Sequence, residues 1–218
     1  MRKKIVVVLN ILLIILMCIG LYMMFSRHAQ RNPGAFIESG FRNFRYFTIL
    51  SNVFSGLTAI VYIILLICRC KAKEGTLMSI LKLASSAAVG VTFTVVLIFL
   101  GPLYGYGRMY VNSNLIFHLL MPLLAMAEFV VFPTFGSEKG NIFSVKKCFY
   151  AGIPVVLYGI VYLINNIRGK ADGATSNADF YGFLRWGYPI GILIFVVIVF
   201  IAVGIACFLR FLKKKIRS

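Results

Sequence analysis

Polar and apolar positions in this 218-residue chain segregate into six apolar runs, near residues 5–25, 47–68, 83–100, 115–132, 149–164 and 188–209. Each approaches the roughly 17–25 residues with which a helix crosses a bilayer. The pattern predicts an all-α polytopic membrane protein: one domain, 1–218, of six transmembrane helices. The longest connections, 26–46 and 165–187, are too short to fold alone. The first run follows Arg2, Lys3 and Lys4, but its apolar part is long and no small-residue cleavage site follows, so it reads as a retained span.

The polar positions inside these runs stand out. In the second, Thr48, Ser51, Asn52, Ser55, Ala59 and Tyr62 share a strip about 80–100° wide on one helix face. Lipid offers hydroxyls and amides no partners, so this face should turn toward protein or a water-filled cavity. The fourth run carries His118 and, four residues on, Pro122, which lacks the N–H that would bond the His118 carbonyl and should kink the helix. Pro154 should do the same to the fifth run at Tyr150. Glu128 is the one acid within a run. It lies about 15 Å along the helix from His118, too far to orient it, and is expected to pair with Lys139, Lys146 or Lys147. Small residues gather in the third run (Ala84, Ser85, Ala88, Gly90, Thr92), where they should let helices approach closely.

Composition sharpens this picture. Mean hydropathy is +0.92 and only 13% of residues are charged, about half the soluble norm. The net charge of +17 raises the question of nucleic acid, but the basic residues sit in short clusters beside the spans, which fits anionic lipid and topology control instead. Fifteen of the 23 basic residues, among them Lys82 and Lys213, fall at the ends and in the even loops. That asymmetry puts both termini in the cytoplasm. The five cysteines fall in spans or near the cytoplasmic side and imply no disulfide framework. His28, Glu38, Asp172 and Asp179 show no metal-ligand spacing, and no metal is expected.

With that orientation, Thr48 and His118 lie at nearly the same depth below the outer surface. A hydroxyl and an imidazole at one level suggest nucleophile and general base for acyl transfer, with helix N-terminal N–H groups beside Thr48 to steady an oxyanion. The plain alternative is that Thr48 bonds a carbonyl one turn back and His118 packs with an asparagine. Ser51, Asn52, Ser55, Asn114 and Asn165 are candidates to line the site, and Arg42 and Arg45, just before the polar helix, to hold an anionic end or to reach toward the interface.

The run FTILSN over 47–52, His118 four residues ahead of Pro122, and YGFL over 181–184 together resemble the androgen-induced membrane protein family, most closely its bacterial six-pass branch. The resemblance spans most of the chain, in order. It implies an intramembrane threonine hydrolase of fatty acid esters of hydroxy fatty acids or related acyl esters, with Thr48 as nucleophile, His118 as base, no cofactor, membrane lipids as partners and the bacterial plasma membrane as location. Gly182 departs from the family, which has proline there. Two other classes remain open: a lipid or small-molecule transporter with a polar cavity, whose polar residues would continue toward Glu128, and a non-catalytic scaffold.

Overall fold

The computed structural model describes residues 2–26, 40–68, 72–131, 145–171 and 179–217. They form an all-α bundle with six helices long and apolar enough to cross a membrane. Helix α1 is Arg2–Phe25, and α2 is Phe47–Ile67, led in by a 3-10 turn at Gly40–Arg45. Helix α3 is α-helical over Ala72–Val95, widens to a π turn at Val96–Leu100 and ends at Gly101–Tyr104. Helix α4 spans Ser113–Val131, with a π turn at Ile116–Leu120. Helix α5 is Ile153–Ala171, preceded by 3-10 helix over Val145–Gly152, and α6 is Tyr188–Arg217. The third and fifth helices thus run well past the apolar segments 83–100 and 149–164.

Helix α3 is the axis of the bundle, packing against α2, α4, α5 and α6. Two thirds of its span is buried, against 22% for the peripheral α6. Its small residues make this possible: Ala84, Ser85, Ala88 and Thr92 are all buried, and a Cβ on Gly90 would come within 3.0 Å of Ile205 on α6. With lipid as apolar as leucine, such close fit is what holds helices together. Helices α1, α2 and α4 share a second core through Leu13, Met17, Ile49, Phe117 and Met121. Large apolar side chains such as Val8, Leu57, Ile98 and Phe200 cover the outer surface.

The prolines act differently from a simple kink. Pro122 is buried two residues after the π turn that contains His118, so the fourth helix absorbs the missing N–H by widening, with Met121 N–H reaching the Ile116 carbonyl. Pro154 occupies the first turn of α5, because the helix changes from 3-10 to α just before it. Tyr150 itself lies in the 3-10 stretch, so the expected irregularity takes the form of a change of helix type beside the proline.

Two lysines expected among the cytoplasmic charges are inside. Lys82 is 2% exposed within α3, and Lys213 is 1% exposed within α6, donating to the Phe129 carbonyl at 2.6 Å. Glu128, also 2% exposed, pairs with Lys82 at 3.0 Å and not with Lys146 or Lys147; Lys139 lies outside the described residues. Asn10 of α1 completes the cluster, accepting from Lys82 at 2.5 Å through its Oδ1 and donating to the other Glu128 oxygen at 3.1 Å. Helix α3 simply starts earlier than the apolar run does, which carries Lys82 into the bundle opposite the acid.

Candidate functional site

The polar strip of α2 is the face turned into the bundle: Ser51, Asn52, Ser55 and Ala59 are buried, while Thr48 near the helix start is half-buried. The strip divides its contacts between two neighbours. Ser51 shares a hydrogen bond of 3.0 Å with Thr92 on α3. Asn52 points the other way, its Nδ2 donating both to the Thr48 carbonyl at 2.7 Å and to the Phe117 carbonyl of α4 at 2.9 Å. Those two acceptors settle the amide's orientation, since a carbonyl only accepts. One amide therefore ties the turn that carries Thr48 to the residue preceding His118. The Asn52 Oδ1 is buried with no hydrogen-bond partner among the described residues.

His118 is 3% exposed. Its Nδ1 donates to the Met109 carbonyl at 2.7 Å, because that oxygen cannot donate. In the neutral ring this leaves Nε2 as the nitrogen with the free lone pair, the tautomer a general base requires. The carbonyl comes from the connection between α3 and α4, where a single turn at Tyr106–Met109 precedes Asn112. Asn112 is held at φ 53°, a left-handed conformation costly for any residue but glycine. Backbone strain thus sits three residues from the group that orients the imidazole.

Neither part of the plain alternative describes this geometry. The Thr48 hydroxyl makes no hydrogen bond among the described residues, the Thr48 carbonyl being the group that neighbours use, and the His118 bond goes to a backbone oxygen and not to an asparagine.

Thr48 borders a cavity of about 50 Å³ whose other polar lining groups are Thr92, Tyr158 and Tyr181; the rest of the wall is apolar, from Phe47, Val95, Leu100, Phe195 and their neighbours. That is room for a few waters or one functional group. His118 is not among its lining residues. Two larger grooves flank it. One, of about 590 Å³, runs between α2 and α5 past Arg45, Phe47, Ser51 and Tyr158 to Asn165. The other, of about 660 Å³, lies between α3 and α6 beneath Asp179, Arg185 and Trp186. Both fall in the size range of small-molecule sites, and each shares wall residues with the central cavity.

The remaining predicted site residues separate. Arg45 heads the first groove, its guanidinium over the Phe180 ring at 4.5 Å and bonded to the Tyr46 hydroxyl at 3.3 Å. Arg42 is exposed on the 3-10 turn. Asn114 is buried at the start of α4, and Ser55 one turn beyond Ser51 lines none of the three spaces. Asn165 is exposed at the far rim of the first groove; its neighbour Asn166 is the buried one, bonded to the Tyr162 carbonyl at 2.9 Å. Among the described residues no group of three or more His, Cys, Asp or Glu side chains is placed to hold a metal ion.

The turn at 179–187 was the part of the site least legible beforehand. Asp179 accepts from the Tyr162 hydroxyl and from Leu184 N–H at 3.0 Å, and its carbonyl accepts from Gly182 N–H at 2.9 Å. Gly182 has φ +70°, which proline cannot adopt, so the glycine in YGFL is what this turn requires. The turn delivers the Tyr181 hydroxyl to the N-terminus of α2, where it accepts from Phe47 N–H at 3.0 Å. Ile49 and Leu50 N–H groups bond the Tyr46 carbonyl. Most of the N–H groups expected to be free beside Thr48 are therefore occupied.

No family model, no curated protein and no solved structure matches the chain.

Proposed function

We propose that this multi-pass membrane protein is a lipid-ester hydrolase in which Thr48 is the nucleophile and His118 its general base. The observation that carries the reading is the Asn52 bridge: one amide links the Thr48 turn to Phe117, next to a histidine whose Nδ1 is fixed by a carbonyl and whose Nε2 is left to accept. An acyl ester enters sideways from the membrane along one of the grooves, with Arg45 near an anionic end, and places its carbonyl in the cavity beside Thr48. The Thr48 oxygen bonds the carbonyl carbon while its proton passes to His118; the alkoxide leaves with that proton, and water then releases the acyl group by the reverse sequence. The resemblance to the androgen-induced membrane protein family points the same way, and the bacterial plasma membrane is the location it implies.

The test is covalent labelling of the purified protein by a fluorophosphonate probe. Labelling of the native chain, lost in Thr48→Ala and strongly slowed in His118→Ala, is the expected result; undiminished labelling of Thr48→Ala removes Thr48 as nucleophile.

A second reading, transport, is favoured by one observation: buried polar residues continue from Ser55 through Thr58 to Lys82, Glu128 and Asn10. That reading predicts uptake of a solute into proteoliposomes that Glu128→Gln abolishes, with no probe labelling.

A further inference from the structure

The Thr48 cavity contains a polar group that the Thr48–His118 pair does not use. An ester carbonyl attacked there becomes an oxyanion, and it needs donors aimed at the oxygen. The N-terminus of α2 supplies few, since the Phe47, Ile49 and Leu50 N–H groups are bonded elsewhere.

We infer that the Tyr181 hydroxyl is the oxyanion donor of the Thr48 site. The inference rests on the hydrolase reading. Tyr181 and Thr48 border the same cavity, and the phenol oxygen is 3.0 Å from the nitrogen of the residue just before Thr48. Accepting from Phe47 N–H fixes the oxygen and turns its own O–H away from that amide. The second phenol in the cavity, Tyr158, bonds Tyr181 and also donates to the Arg45 carbonyl at 2.7 Å, which commits its single proton. The bond between the two phenols is therefore donated by Tyr181, and in the proposal that proton turns from the Tyr158 oxygen to the more basic oxyanion as charge develops.

Its ring is placed with little freedom. It stacks on Tyr162 at 5.9 Å and on Phe183 at 5.0 Å, and meets Tyr46 edge-on at 5.8 Å. The turn behind it is fastened by Asp179 at both ends. Such a donor needs little reorganisation when charge develops. Burial holds the phenol well above its ordinary pKa, so it stays protonated at any pH the protein meets.

In the step, the Thr48 oxygen forms the new bond to carbon, the carbonyl π pair moves to oxygen, and that oxygen accepts a hydrogen bond from Tyr181 without taking its proton. When the tetrahedral species collapses, the pair returns and the alkoxide departs. Tyr181 ends unchanged.

The test measures fluorophosphonate labelling of the purified full chain, separating the maximal rate from the half-saturating probe concentration. Tyr181→Phe keeps the ring and its stacking; its maximal rate is expected to fall about 100-fold or more with half-saturation unchanged. A second variant carrying 3-fluorotyrosine at position 181 makes a stronger donor and a weaker acceptor, so its rate should rise. A phenol that only caps α2 predicts the opposite sign. Tyr181→Phe at the native rate, or a fluorotyrosine rate below native, overturns the inference while Thr48→Ala remains unlabelled and the hydrolase reading stands. Labelling that survives Thr48→Ala removes that reading, and the inference with it.

Discussion

Replacing Glu128 by alanine should be among the most damaging single changes in this protein. The carboxylate is buried, 3.0 Å from a buried ammonium, with Asn10 bonded to both partners and the Tyr62 ring 5.3 Å from the Lys82 nitrogen. At 3.0 Å and an effective dielectric of about 20, the attraction is about 5.5 kcal/mol, most of which offsets the cost of taking both ions out of water. The net value of the pair is therefore small, yet removing one member leaves the full desolvation cost of the other. Glu128→Ala should cost about 3–5 kcal/mol, a large part of a total stability of about 5–15 kcal/mol. Lys82→Met should cost about as much.

The double variant Lys82→Met/Glu128→Met separates this account from a simple loss of contacts. It removes both charges and keeps the volume, and only the Asn10 amide is left short of partners, at about 1–3 kcal/mol. It should be more stable than either single variant, a non-additivity of several kcal/mol. Equilibrium unfolding in detergent, followed by circular dichroism across a denaturant series, gives all four values. Single variants within 1 kcal/mol of the native chain, or a double variant as unstable as the sum of the singles, would refute the reasoning.

Two further outcomes follow from the site. Asn52→Ala removes the amide donor that the Thr48 and Phe117 carbonyls share; unfolding should show a loss of about 1–2 kcal/mol, and probe labelling at Thr48 should slow by more than that stability change explains. Gly182→Pro installs proline in a turn whose φ is +70°, so Tyr181 should leave Phe47 N–H and labelling should collapse; native-rate labelling in that variant would show that the turn tolerates another conformation.

The six helices were legible because lipid imposes one rule along the whole chain: a span must be long, apolar and helical, and sequence carries all three properties. The same rule turned the polar strip of α2 inward, where Ser51, Asn52 and Ser55 are buried. It misled at Lys82. Counting basic residues beside apolar runs assumes that a charge at a run's edge lies in water, whereas α3 begins at Ala72 and places Lys82 nearly three turns inside the helix. The expected partners of Glu128, Lys139, Lys146 and Lys147, were chosen on the same assumption, whereas the cation that meets it is Lys82, at the edge of the third run.

The site was half legible, for a reason that lies in which atoms do the work. Thr48, Asn52 and His118 announce themselves by side-chain chemistry at unusual positions. What orients them is largely backbone: the Met109 carbonyl on His118, the Phe117 carbonyl on Asn52 and the Phe47 N–H on Tyr181. Every residue owns such groups, so sequence cannot say which are put to use. Their placement depends instead on local breaks in regular structure, the two π turns, Asn112 at φ 53° and Gly182 at φ +70°, all of them near the same end of the bundle as Thr48. Such breaks cost free energy and are kept where packing over-determines them. Their concentration at one end, against regular helix around Lys82 and Glu128, separates the two polar centres of this protein: the buried ion pair sits in ordinary helix, while His118 lies within one of the breaks and Thr48 at the same end of the bundle.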